Sequence, residues 1–239
     1  MTKYKIILVI LILTVIGGFL RFFNNTKNPN SLNIDEVSYG YSAYSILKTG
    51  HDENGVFMPI IFKSIGDYKN PLLIYSLVPS IAVFGLNEFS VRFTTALAGT
   101  LTIAAFFLLV LSLTKNKKIA LISAALLAIS AWHIYYSRFA SDHVMGLFFI
   151  ILGMYFFQKM LTGGRWVFLS AVMFILSMYT YHSQRLFVPM LIFVFFIIHR
   201  KQLKQRKRSI ILFISICLVL ILPLIYLSIF GAANSRAGM

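Results

Sequence analysis

Residues 71–86 read PLLIYSLVPSIAVFGL, and whether this run crosses a bilayer or lies along its surface decides how everything on either side is arranged. The run carries no charge, but it is shorter than the ~20 apolar residues that a helix needs to cross the hydrocarbon core. A short span and an interfacial helix both fit its length. The loops arbitrate between them. With residues 71–86 kept on one side, the cytoplasmic segments hold Lys3, Lys5, Lys115, Lys117, Lys118, Lys159, Arg165, Arg200, Lys201, Lys204, Arg206, Lys207 and Arg208, and no acid. The acids Asp35, Glu36, Asp52, Glu53, Asp67, Glu88 and Asp142 then all fall on the outer side. Were the run a span, KNKK (115–118) and HRKQLKQRKR (199–208) would lie across the membrane from Lys3 and Lys5, against the cytoplasmic bias of Lys and Arg. An interfacial helix is therefore expected at 71–86.

Working outward from it, apolar runs near spanning length lie at about 6–23, 93–113, 119–137, 144–158, 166–182, 186–198 and 209–230. They predict seven spans, two of them short. Lys3 and Lys5 precede the first run as in a signal peptide, but no small-x-small cleavage site follows before Asn24, so it is read as a retained anchor. The composition agrees: 59% hydrophobic residues, 12% charged and a mean hydropathy of +0.82 exclude a water-soluble domain of 239 residues. The net charge of +15 would point to nucleic acid in a soluble protein; here it is an orientation signal, with 200–208 beside anionic headgroups. No nucleic-acid partner is expected. The single Cys217 rules out a disulfide framework. The fold class that follows is an all-α integral membrane protein of about seven transmembrane helices, one transmembrane domain over 1–239. Its N-terminus is cytoplasmic, in the plasma membrane, and two juxtamembrane helices lie in an extracytoplasmic loop at 24–92.

Four outer segments hold the residues able to do chemistry. In the first, NIDEVSYGYSAYSILKTG (33–50), a helix is expected from Asp35 to about Lys48, with Gly50 as its stop and Tyr39, Tyr41 and Tyr44 as anchors. Asn33 and Glu36 could form a capping box, while paired carboxylates could equally supply a general base or a metal ligand. In the second, GDYKNP (66–71), Lys69 precedes a helix that Pro71 opens; a cation beside a helix N-terminus suits phosphate, though Lys69 could merely snorkel to headgroups. In the third, YYSRFASDH (135–143), Arg138 and Asp142 have the spacing of an ion pair, and His143 lacks companions for a metal site. In the fourth, YTYHSQRLFVP (179–189), Arg185 either anchors a helix in the headgroups or binds a lipid phosphate.

Taken in order, these segments resemble the membrane glycosyltransferases of the GT-C superfamily, particularly bacterial relatives of the dolichyl-phosphate-mannose protein mannosyltransferases and of the aminoarabinose transferase of lipid A. The resemblance rests on the acidic pair Asp35 and Glu36 opening a juxtamembrane helix, on Lys69 with Pro71 opening a second, and on SRFASD with Asp142. It implies transfer of a sugar from a polyprenyl-phosphate donor to a hydroxyl acceptor, a protein, lipid or glycan, at the extracytoplasmic face. By the same resemblance Asp35 is the catalytic base with Glu36 in support, Asp142 serves acceptor or metal, and Lys69 contacts the donor phosphate. Arg138 and Arg185 join as further phosphate partners by position and charge. A divalent cation could take part; no nucleotide cofactor is expected, since no Gly-rich phosphate loop follows a strand. Ser38 stands where the aminoarabinose transferases carry a base, and their KPP reads Lys69, Asn70, Pro71 here, so the sugar stays open. The chain is also shorter than such enzymes, which carry eleven or more spans, and is expected to be their N-terminal portion. The competing class is a transporter or lipid flippase, which would place ionisable groups near the bilayer midplane.

Overall fold

The computed structural model describes residues 3–64 and 67–230. In chain order they form α1 (Lys3–Phe22), α2 (Ile34–Thr49), β1 (Phe62–Ser64), β2 (Asp67–Lys69), α3 (Pro71–Phe84), α4 (Glu88–Thr114), α5 (Lys117–Ile129) and α6 (Ala131–Ser137). Then come α7 (Asp142–Thr162), a 3-10 turn (Gly164–Trp166), α8 (Val167–Met178), α9 (Gln184–Ile198), α10 (Arg200–Lys204) and α11 (Lys207–Phe230).

Among the described residues four helices are long and apolar enough to cross a membrane: Tyr4–Phe22, Glu88–Thr114, Asp142–Thr162 and Lys207–Tyr226. α5 and α6 pass the same test only together, as a pair bent by 56°. The segments expected as spans at 166–182 and 186–198 form shorter apolar helices, as does α3. This is a multi-pass membrane protein whose outward faces on α1, α5, α9 and α11 are lined with exposed Leu, Ile, Val and Phe, the surface that lipid favours.

α4 is the axis, packed against α1 and α5 on one flank and α7 on the other, while α8 links α7 to α11. Small residues allow the close approach, since helices in lipid associate by packing rather than by escaping water. Ala120, Ala124 and Ala128 repeat every fourth residue on the buried face of α5, and a Cβ at Gly153 would meet the ring of Phe174 on α8 at 2.9 Å.

The expectation of one uninterrupted span at 119–137 is corrected at Ser130, whose extended backbone (φ −61°, ψ 114°) separates α5 from α6. A broken helix leaves carbonyls unsatisfied, which is costly away from water. Arg21, wholly buried on α1, answers them, donating to Leu127 O at 3.2 Å, Ala128 O at 3.1 Å and Gly17 O at 2.7 Å; His133 Nδ1 on α6 lies 2.8 Å from its Nη2.

The all-α expectation also needs amending. β1 and β2 form a two-stranded antiparallel hairpin pairing Phe62 with Lys69 and Ser64 with Asp67. This hairpin, closed on one side by α2, delivers the chain into α3.

Candidate active site

The capping box expected at the head of α2 is present: Asn33 Oδ1 accepts from Glu36 N at 2.8 Å, and Glu36 Oε2 accepts from Asn33 N at 3.1 Å. The rest of the Glu36 carboxylate is taken as well. Arg92, at the start of α4, donates from Nε to Oε1 at 2.9 Å and from Nη2 to Oε2 at 3.1 Å, and Ala140 N donates to Oε1 at 3.0 Å. Arg92 also donates to the carbonyls of Asn25, Pro29 and Ser31. This buried node ties the 24–33 loop, α2, α4 and the α6–α7 loop together. Glu36, expected in support of Asp35 as a catalytic acid, thus has, at the head of α2, both carboxylate oxygens engaged by Arg92 and backbone N–H groups.

Asp35 points the other way, since successive helical residues point ~100° apart at 3.6 per turn. Its carboxylate is 67% exposed and its Oδ1 accepts from Lys69 Nζ at 2.7 Å. Lys69 is buried, held at the end of β2 with Nζ 4.3 Å from the centre of the Tyr39 ring. Tyr39 lies one turn beyond Asp35 and donates its hydroxyl to Asp142 Oδ2 at 2.9 Å. Burial and then the charge of Asp142 push the Tyr39 hydroxyl well above the ordinary tyrosine range, so it stays a donor at physiological pH. Asp142 Oδ1 is buried without a hydrogen-bond partner.

All four segments singled out in the sequence line one cavity of about 290 Å³: Asn33, Asp35 and Tyr39 from α2; Tyr68, Lys69 and Asn70 from the hairpin's exit; Tyr136 and Phe139 through His143 before and into α7; Tyr181 and His182 between α8 and α9. Its aromatic wall is continuous, with His143 centred 4.4 Å from Tyr181 and 5.7 Å from Tyr136. His182 Nε2 lies 3.1 Å from Tyr68 O, and burial lowers its pKa below the usual histidine value. The acceptor carbonyl makes Nε2 a protonated nitrogen of the ring.

Behind the head of α3 lies a second, apolar cavity of about 590 Å³, lined by Pro71, Leu72 and Tyr75, by Ile175, Leu176 and Tyr179, and by Val219, Leu220 and Pro223 of α11. Arg185 lines neither, but donates from Nη2 to Oδ1 of Asn70, a residue of the polar cavity. Arg138 does not line either cavity. Expected as a phosphate partner or as the ion-pair partner of Asp142, it instead caps the C-terminal end of α1, donating to Leu20 O, Phe23 O and Asn28 O at 2.9 Å and Asn24 O at 3.2 Å. The orphan carbonyls that end a helix are strong acceptors, and they win the guanidinium. Among the described residues no three His, Cys, Asp or Glu side chains gather as a metal site.

Tyr39, expected as an interfacial anchor, and His143, which lacks companions for a metal site, both line the cavity, as does Tyr181, while Arg92 holds its frame; neither Tyr181 nor Arg92 stands out in the sequence. The four-residue step from Asp35 to Tyr39 was the available signal, because it places both on one helix face.

A bundle of apolar helices carrying an acid, lysine and aromatic cavity is consistent with a membrane glycosyltransferase of the GT-C superfamily. A family model described as dolichyl-phosphate-mannose-protein mannosyltransferase matches residues 11–235, and the chain belongs to that family. It is 30% identical over 158 residues to an uncharacterised protein of Aquifex aeolicus (strain VF5), covering 66% of this chain and 30% of that protein. In fold it is similar to the archaeal oligosaccharyltransferase AglB of Archaeoglobus fulgidus, solved with an inhibitory peptide and a dolichol-phosphate. That match has a TM-score of 0.72 at 17% identity and covers 92% of this chain and 29% of that one. The chain thus spans about 30% of the length of the relatives it matches.

Proposed function

We propose that this chain forms the catalytic portion of a glycosyltransferase that moves a sugar from a polyprenyl-phosphate donor to a hydroxyl acceptor at the extracytoplasmic face of the plasma membrane. The observation that carries the reading is the convergence of Asp35, Lys69 and Asp142 on one polar cavity that meets an apolar one at Asn70 and Pro71. An amphiphile with a long apolar tail and a phosphorylated sugar head has that division of polarity. The reading places the tail in the apolar cavity, the phosphate near Lys69 and Arg185, and the sugar toward the aromatic wall.

The seven-span topology belongs to the same proposal. α8 and α9 are short, and α9 lies along part of α7: Gly146 near the head of α7 neighbours Thr180 and Gln184, and Gln158 toward its tail is 2.9 Å from His199. With the basic segments at the α7 tail facing the cytoplasm, the cavity opens outward and the N-terminus lies inside.

In the reaction the acceptor oxygen bonds to the anomeric carbon as the bond from that carbon to the phosphate oxygen breaks. Asp35 takes the hydroxyl proton, and polyprenyl phosphate departs with its new charge held by Lys69 and Arg185. Asp142, with one oxygen held by Tyr39 and the other open, positions the acceptor. A divalent cation, which one or two carboxylates hold together with waters and phosphate oxygens, would bind at Asp35 and Asp142 and would offset charge on the departing phosphate.

The test supplies membranes bearing the full-length reading frame with radiolabelled sugar either on polyprenyl phosphate or on a nucleotide. Labelled product from the lipid donor is expected with none formed directly from the nucleotide. Movement of lipid donor across the bilayer without any product would replace the transferase with a transporter.

A further inference from the structure

We infer that Asn70 is a phosphate-positioning residue of this cavity, its amide N–H donating to the donor's phosphoryl oxygen while its carbonyl holds Arg185. The inference rests on the lipid-phosphate reading above and names a residue that the family-like KPP pattern replaces with proline.

An asparagine just before a helix ordinarily turns its side-chain oxygen onto the first turn's N–H groups. Asn70 stands at that position before α3, yet its side chain makes no capping bond. Its Oδ1 faces away and accepts from Arg185 Nη2. With the oxygen so committed, the amide nitrogen is the other branch of the fork, and Nδ2 has no hydrogen-bond partner although the residue is only 2% exposed.

A buried amide donor without a partner is unfavourable unless something arrives to accept from it. What arrives must be an acceptor, and although Asp35 and Asp142 also line the cavity, the groups beside Asn70 itself are positive: Lys69, paired with Asp35, precedes it, Arg185 donates to it, and it stands at the N-terminus of α3. A phosphoryl group, rich in acceptors and negatively charged, meets all of these at once. The position also fits, since Asn70 lines the polar cavity and Pro71, the next residue, lines the apolar one.

The rival account makes Asn70 only a tether for Arg185. Asn70→Asp separates the two, because aspartate keeps the shape and the oxygen that Arg185 uses, and adds an opposite charge, but replaces the N–H donor with an anionic oxygen. Full-length protein in lipid nanodiscs is titrated with polyprenyl phosphate and with polyprenol, and competed with phosphatidylglycerol and with inorganic phosphate. Wild type is expected to favour polyprenyl phosphate over polyprenol and to resist both competitors. Asn70→Asp is expected to weaken polyprenyl phosphate by about tenfold or more, the scale of ~1.4 kcal/mol per decade. It should leave polyprenol binding unchanged and the thermal midpoint no lower. Wild-type affinity for polyprenyl phosphate in Asn70→Asp would overturn the assignment, as would equal displacement by phosphatidylglycerol. A wild type blind to the phosphate would sink the lipid-phosphate reading itself, and this inference with it.

Discussion

Two ion pairs stand one residue apart at the head of α2 and differ in nearly every physical respect. Glu36 and Arg92 are 1% and 0% exposed, joined by two hydrogen bonds, with every remaining site filled by backbone. Asp35 and Lys69 share one contact of 2.7 Å, with the carboxylate two-thirds exposed to the cavity. A sealed pair is expensive to disturb, because removing one partner strands a buried charge. The second pair is exposed on one side only: Lys69 is buried, while the Asp35 carboxylate stays available. The fold uses Glu36 for shape and leaves Asp35 exposed for the proposed chemistry, and the resemblance that groups them as one acidic pair hides that division.

The comparison can be broken at several points. The largest effect on stability is expected from Glu36→Gln, which keeps the shape and leaves Arg92 buried with an uncompensated charge. A loss of about 3–5 kcal/mol should follow, read as a lowered unfolding midpoint in detergent or a collapse in yield. Unfolding at the wild-type temperature would mean that the node does not hold α2.

Tyr39→Phe is next. It leaves Asp142 without its hydroxyl donor, a change of about 1–3 kcal/mol by the cost of an unmade buried hydrogen bond. Acceptor KM should rise more than donor affinity falls; an effect on donor binding alone would move Asp142 to the donor side. Asp35→Asn leaves the buried Lys69 without its acid but keeps a side-chain oxygen beside it, so it should destabilise less than Glu36→Gln, and an equal drop in melting temperature would erase the contrast with Glu36.

The smallest effect is a pH dependence. His182 has a lowered folded pKa, so the unfolded chain takes up its proton first as pH falls. Its contribution to stability is therefore full above the ordinary histidine pKa of ~6.5 and declines below it. His182→Gln should flatten that decline in unfolding measured between neutral and acidic pH; an unchanged slope would assign it to other groups.

Much of this was legible in the sequence because the governing forces are local. The Asn33–Glu36 box, Gly50 and Pro71 bound α2 and α3 through capping and backbone chemistry, and the observed helices begin and end within a few residues of the expected positions. The four segments stand out by their charged residues, and they do meet in one cavity. What escaped depended on partners far along the chain. The break at Ser130 carries no Pro or Gly and is supported by Arg21, over a hundred residues earlier. Three-residue strands such as FKS and DYK show no usable alternation. Arg138 was read from its charge alone, and only the fold reveals the end of α1 beside it.

The most direct measurement is the rate of sugar transfer by Asp35→Asn at saturating polyprenyl-phosphate donor, with donor binding and unfolding followed on the same preparation. The account predicts a loss of about 10²–10⁴-fold in rate, the usual contribution of a general base, with donor still bound and the fold intact. Transfer within a few-fold of wild type would contradict it and return Asp35 to the role of a helix-end charge.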